Sequence, residues 1–182
     1  MAARMGRAAG ALVMAMVLPL AGCDGDDDTS GGGGGSKEPA AAAIKEPAAA
    51  AIEAARAFQQ ASVDRDWEAA CEARTERLRQ RIGADTIAEC VEITRTPRIR
   101  EYPDARVTTG KAVEVEAFGP HPAGIGLRVT FEAGTAAPGM IIHTALRLVP
   151  GERGAWLVDQ AVNIDETMGT DTKAVRAALA RK

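Results

Sequence analysis

The stretch IGLRVTF (125–131) decides the fold of the second half of the chain, because its apolar residues lie at every second position. This spacing places them on one face of a β-strand. Similar alternation occurs at 113–117 (VEVEA), 141–148 (IIHTALRL) and 156–164 (WLVDQAVNI). Segments rich in Gly and Pro, typical of turns, separate several of these runs. The second half therefore predicts a four-stranded antiparallel meander.

The first half of the chain has apolar residues at helical spacing instead. Pro47 is expected to open the first helix, because proline suits the first helical turn. Thr86 and Glu89 have the spacing of a capping box and predict the start of another helix. The predicted helices cover about 48–63, 67–82, 86–94 and, at the C-terminus, 171–181. Helices followed by strands predict an α+β domain over 48–165, with the N-terminal helices packed on the sheet and a short helix at 166–182 beyond it.

Polar residues alternate with the apolar rows on the predicted strands. Arg128, His143 and Asp159 share this polar face with Arg147 and Asn163. A His–Asp pair beside an arginine can act as a general base and its orienting group. A sheet with one packed and one solvated face shows the same alternation without any chemistry. We therefore expect solvent or a partner on this face, with apolar rows that include Val158 and Val162 on the other.

His121 lies between two prolines in the turn 119–124 (GPHPAG). Such a turn is expected at the surface, because loops carry backbone polar groups that need water. We expect His121 to be exposed and not catalytic.

The segment LAGC (20–23) ends a short uncharged run, 8–22, that follows Arg4 and Arg7. The run is too short to span ~30 Å of hydrocarbon as a helix, and its small terminal residues suit a signal peptidase. The segment resembles the lipobox of bacterial lipoproteins, whose cysteine receives a diacylglyceryl group and becomes the mature N-terminus. The resemblance implies a signal peptide at 1–22 and a membrane anchor at Cys23 on the extracytoplasmic face of the cell membrane. An ordinary signal peptide with an incidental Cys23 is the alternative.

Low-complexity sequence follows Cys23. The residues DGDDDTSGGGGGS (24–36) bury too little apolar surface to fold, and KEPAAAAI then occurs twice in tandem, at 37–44 and 45–52. We expect a flexible, lipid-anchored tether over 23–47. A calcium loop is the alternative for the aspartates, but the glycines after them supply no closing ligand.

Two cysteines remain once Cys23 carries lipid. Outside the cytoplasm, Cys71 and Cys90 are expected to form a disulfide, and both lie on apolar stripes of adjacent predicted helices. Two buried free thiols are the alternative. The two cysteines and two distant histidines lack the spacing of zinc ligands, so we predict neither a metal nor a cofactor.

The order of elements resembles the nuclear transport factor 2-like domains of actinobacterial lipoproteins over about 48–165. The resemblance rests on AARAFQQASVDRDWEAACEARTERL (54–78) and WLVDQAVNI (156–164). An excess of 17 Arg over 5 Lys is also typical of a GC-rich genome. The resemblance implies a curved sheet that wraps a helix and forms a cone with a pocket. Some members of this family are isomerases and dehydratases, and others only bind ligands or dimerise.

The charge and motifs of the chain narrow its function. The net charge of −3 becomes −5 without residues 1–22, and no basic cluster points to nucleic acid. No nucleophile elbow, phosphate-binding loop or C-x-x-C motif occurs, and no aspartate matches the catalytic position of the resembled family. We expect a non-catalytic envelope lipoprotein that binds a small apolar ligand or a protein partner. A pocket enzyme of the isomerase or dehydratase type, acting on a hydrophobic ligand, is the alternative.

Overall fold

The computed structural model of the protein describes residues 40–95 and 101–181. The predicted signal peptide, the predicted lipidation site Cys23 and most of the predicted tether lie outside the described residues. The helices are α1 (Ala40–Asp64), α2 (Trp67–Glu72), α3 (Glu76–Arg81), α4 (Ile87–Thr94) and α5 (Thr172–Leu179). The strands are β1 (Arg106–Thr109), β2 (Val113–Val115), β3 (Gly124–Glu132), β4 (Ile141–Pro150) and β5 (Trp156–Ile164). This order confirms the predicted α+β class. Within the described ranges, no helix has the length and apolar character needed to cross a membrane.

The strands form one antiparallel sheet in the order β1-β3-β4-β5, and β2 pairs with the start of β3. The prediction of four strands is wrong by one, because β1 was missed. Its four residues, RVTT, contain a single large apolar side chain, Val107, which is too little for the alternation to be recognised. A short break at 110–112 separates β1 from β2.

Helices cover both faces of the sheet. On one face, Ala51, Ala55 and Phe58 of α1 pack with apolar residues of β3, β4 and β5. On the other face, Val175 and Leu179 of α5 pack on the sheet, with Val115, Ala145 and Ile164 among their neighbours. The expectation of one solvated face is therefore wrong. The C-terminal helix completes the domain instead of lying beyond it, because its apolar side covers this second face.

A β-bulge in β5 explains why apolar side chains from the two halves of this strand pack on opposite faces of the sheet. Arg147 pairs with Gln160 and Leu148 pairs with Val158, which leaves Asp159 as an extra residue. An extra residue reverses the side on which the following side chains point. Val158 accordingly joins the apolar cluster under α1, whereas Val162 packs against the cluster under α5. The expectation that both valines share a face is wrong.

Helix α1 begins at Ala40, so Pro47 lies inside it and does not open it as predicted. A proline inside a helix removes one hydrogen bond and crowds the preceding turn. Alanine is the strongest helix former, and the runs AAAA at 40–43 and 48–51 stand before and after the segment IKEP (44–47). Packing of Ala51, Ala55 and Phe58 then holds the later turns on the sheet.

The predicted helix 67–82 is interrupted between α2 and α3 by residues 73–75, which we call the strap. The N–H of Val158 donates to the carbonyl of Ala73 at 2.8 Å, and the N–H of Thr75 donates to the carbonyl of Val158 at 2.9 Å. Thr75 also caps α3, since its hydroxyl accepts from the N–H of Leu78. The helix breaks because these backbone groups pair with β5.

The Cys71–Cys90 disulfide joins α2 to α4, with a Cα–Cα distance of 6.0 Å, and the pairing is confirmed. Both cysteines have no exposed surface. Helix α4 begins at the predicted capping box, in which Thr86 accepts from the N–H of Glu89 and the Glu89 carboxylate accepts from the N–H of Thr86.

Candidate functional site

Asp159, the extra residue of the bulge, is the centre of a buried polar network. Its side chain is 1% exposed. The Oδ1 atom accepts from Arg77 Nη1 at 2.6 Å and from Thr75 Oγ1 at 3.1 Å. The Oδ2 atom lies 2.7 Å from His121 Nδ1. The expectation that Asp159 faces solvent is wrong, because the bulge places its carboxylate among Thr75, Arg77 and His121.

His121 is partly buried, contrary to the expectation that it is exposed, and 13% of its side-chain surface is accessible. The turn after β2 folds back on itself, and Phe118 and His121 form reciprocal backbone hydrogen bonds of 2.9 and 3.0 Å. This turn directs the imidazole toward Asp159. A carboxylate at Nδ1 fixes the orientation of the ring and favours a proton on that nitrogen.

Arg147 is a buried cation, with 1% of its surface exposed. Burial lowers the pKa of its guanidinium, and the negative charge of Asp159 acts in the opposite direction. Among the described residues, the hydrogen bonds of Arg147 are all to neutral oxygens, and they connect it to the turn after β2, to the end of α5 and to β5. The acceptors are Gln160 Oε1 at 3.1 Å and the carbonyls of Glu116 at 2.6 Å, Pro122 at 2.7 Å and Leu179 at 3.3 Å.

The predicted cluster of Arg128, His143 and Asp159 is not assembled as such, because each residue has different partners. Arg128 Nη1 donates to the carbonyl of Thr170 at 2.8 Å. His143 Nδ1 lies 2.9 Å from the hydroxyl of Thr130, its neighbour on β3. The histidine that meets Asp159 is His121.

A groove of about 990 Å³ lies between β2, the Phe118 turn, the start of β5 and the end of α5. We call it the β2–α5 groove. Its apolar lining includes Val115, Phe118, Ile125, Pro150 and Trp156, and its charged lining consists of Glu114, Glu116, Arg147 and Arg176. Concave sites with apolar walls and few polar groups are typical of small-molecule binding.

His121 is not among the described residues that line the β2–α5 groove. Arg147 connects the two places, since it lines the groove and also binds the carbonyl of Pro122, the residue after His121. The β2–α5 groove and the His121–Asp159 pair are therefore neighbours, linked through the contact of Arg147 with Pro122.

Metal-binding geometry is not found in the part of the chain that the structure describes: no three His, Cys, Asp or Glu residues come together there.

The sequence contained one signal for the network that the prediction missed. Asp159 and Gln160 are consecutive polar residues in WLVDQAV, and strict alternation would put Gln160 in the apolar row. A polar residue in that row breaks the alternation, and one extra residue in the strand produces such a break. No local pattern marks Arg77 or His121 as partners of Asp159, because they lie 82 and 38 residues away.

Comparisons of the chain with protein-family models, with curated proteins and with solved structures find no match.

Proposed function

We propose that this protein is a lipid-anchored protein of the cell envelope whose nuclear transport factor 2-like domain binds a small, largely apolar ligand without catalysis. The observation that carries the proposal is the β2–α5 groove, with the aromatic walls of Phe118 and Trp156 beside Arg147. The order of helices and strands supports the family resemblance. The lipobox-like segment ending in Cys23 supports the anchor.

The chemistry of the lining favours an apolar ligand with a small polar end. Phe118 and Trp156 are only half-buried, so they have surface left to contact a ligand. Aromatic side chains contribute large contact areas at low entropic cost. Arg147 already donates to four oxygens, so it supplies positive potential more than free donors. Arg176 is exposed at the same groove and can meet the polar end of a ligand.

The enzyme alternative is favoured by one contact, the 2.7 Å hydrogen bond between His121 and Asp159. A histidine held in this way can act as a general base. Two features favour binding over catalysis: Asp159 is shared with Arg77 and Thr75, and His121 is outside the described lining of the groove.

A fluorescent probe with an apolar body and one anionic group, 8-anilinonaphthalene-1-sulfonate, tests the groove. We expect saturable binding that weakens about tenfold or more in Trp156→Ala, because the probe loses apolar contact area. Ile141→Ala is the matched control, since Ile141 is a 54% exposed apolar residue outside the groove. Equal weakening in both variants, or none in Trp156→Ala, would contradict groove binding.

His121→Gln separates the two functions. We expect it to leave probe affinity unchanged, because the histidine is outside the described lining of the groove. If the wild-type chain isomerises or dehydrates a hydrophobic substrate and His121→Gln abolishes that turnover, the enzyme alternative replaces the binding function.

The anchor is tested by Cys23→Ala. We expect the variant to leave the membrane fraction or to remain unprocessed, because two acyl chains give stable attachment that the unmodified chain lacks. Membrane fractionation and the mass of the mature chain measure this. An unchanged mass and membrane fraction would refute lipidation.

A further inference from the structure

A second recess, of about 760 Å³, lies where the break between β1 and β2 meets the start of α5. It shares no lining residue with the β2–α5 groove. We call it the α5 recess and propose that it binds a phosphate-type oxyanion through Arg128 and Lys111. Its lining consists of Ile52, Thr109, Gly110, Lys111, Arg128, Thr170, Asp171, Thr172 and Val175.

Arg128 reaches this recess from β3. Its carbonyl accepts from the N–H of Gly110 at 2.8 Å. Its side chain lies over Gly110, since a Cβ on that glycine would be 3.7 Å from Arg128 Nε. Its Nη1 donates to the carbonyl of Thr170 at 2.8 Å. The backbone on both sides thus holds the guanidinium at the wall of the recess.

The guanidinium of Arg128 is poorly satisfied, in contrast to that of Arg147. Its Nε is buried and has no hydrogen-bond partner within the described ranges. Arg128 makes one side-chain hydrogen bond among the described residues, to the neutral carbonyl of Thr170, whereas Arg147 makes four. A buried donor without an acceptor is costly, and the charge beside it favours an anion. A negatively charged ligand in the recess would offset the positive charge of this guanidinium.

Lys111 supplies a second positive charge at the same recess. Neither Lys111 nor Arg128 is part of an ion pair among residues 40–95 and 101–181. Asp171 is the acidic residue of the lining, and its Oδ1 accepts from the N–H of Ala174 at the start of α5. The side chains of the lining therefore carry a net positive charge.

The donors around the recess fit an oxyanion with several oxygens. A guanidinium presents a planar fork, an ammonium provides a point charge, and the hydroxyls of Thr109, Thr170 and Thr172 can donate. Arginine and lysine together are typical of phosphate recognition. The partial positive charge of the α5 N-terminus adds to the potential of the two side chains. Free phosphate and the phosphodiester of a lipid headgroup share this chemistry.

The test is an amide NMR titration of the full-length chain in neutral detergent with inorganic phosphate and, separately, with a water-soluble short-chain phosphatidylglycerol. We expect saturable shifts at the amides of Gly110, Lys111 and Thr170. Tighter binding of phosphatidylglycerol identifies a lipid headgroup, and binding of inorganic phosphate alone identifies a free anion. No saturable shift with either ligand would overturn the proposal.

Two variants and a matched control make the test specific. Arg128→Gln is expected to weaken binding at least about tenfold, because hydrogen bonds to charged groups are the strong ones. Lys111→Gln is expected to weaken it several-fold, and its exposed side chain leaves the fold intact. Lys173→Gln removes an exposed cation from the first turn of α5 outside the recess lining and should change affinity less than about twofold. An equal loss in Lys173→Gln and Arg128→Gln would show diffuse surface charge and overturn the proposal.

Discussion

Asp159→Asn tests whether the buried network stabilises the domain. The change keeps the size of the side chain and removes the charge that Arg77 and His121 contact. Hydrogen bonds to charged groups contribute about 1.5–3 kcal/mol each. Two effects reduce the total: Arg77 is 44% exposed and regains water, and the amide is less costly to bury than the carboxylate. We expect the free energy of unfolding to fall by about 2–3 kcal/mol.

Equilibrium urea denaturation at neutral pH, followed by tryptophan fluorescence, measures this change. Asp85→Asn is the control, because its exposed carboxylate has no hydrogen-bond partner in the described part of the chain. The control should alter stability by no more than about 0.5 kcal/mol. If Asp159→Asn and Asp85→Asn have the same stability, the network around Asp159 does not stabilise the fold.

Three further predictions concern stability. Replacing Cys71 and Cys90 by serine should lower the free energy of unfolding by about 3 kcal/mol, because the 19-residue separation closes a loop in the unfolded chain; urea midpoints equal to the wild type would contradict this. Gly126→Ala should lower the free energy of unfolding by about 1–3 kcal/mol in the same assay, because the added Cβ would lie 2.7 Å from Val115 Cγ1 and 3.0 Å from Leu179 Cδ1. An unchanged urea midpoint would show that α5 can shift without cost. Hydrogen bonds from the N–H groups of Asp85 and Thr86 lower the pKa of Glu89 in the folded state. The carboxylate therefore stabilises the fold fully above its unfolded-state pKa, and this contribution is lost as the pH falls through the folded-state pKa. Glu89→Gln should therefore show a smaller acid-induced fall in Tm than the wild type, and parallel curves of Tm against pH would refute this.

The correct predictions relied on signals that the sequence carries locally or in its composition. The capping box of Thr86 and Glu89 is complete within four positions, and its helix begins where predicted. The Cys71–Cys90 pair followed from the cysteine count outside the cytoplasm, together with the place of each cysteine on the apolar stripe of its own predicted helix. Neither prediction requires knowledge of how distant segments pack.

The features that were missed depend on contacts between distant segments. His121 was expected to be exposed because a turn with two prolines is typical of a surface, but the turn folds onto Asp159. The bulge at Asp159 adds one residue, so every later side chain of β5 faces the side opposite to the predicted one. The predicted helix after Trp67 was broken by hydrogen bonds to Val158. Local propensity contains none of this information.

The strap covers part of an exposed edge of the sheet, where a second chain could otherwise pair. It occupies both backbone groups of Val158 on β5, a terminal strand of the sheet. Unpaired strand edges are templates on which a second chain can add, and a covered edge removes that opportunity. The strap begins two residues after Cys71, so the disulfide to α4 restrains it. With the cysteines reduced, we expect α2 and the strap to separate from β5 more easily, which would expose the edge at Val158 to a second chain. We therefore expect oxidation of this pair to limit edge-to-edge self-association as well as to stabilise the fold.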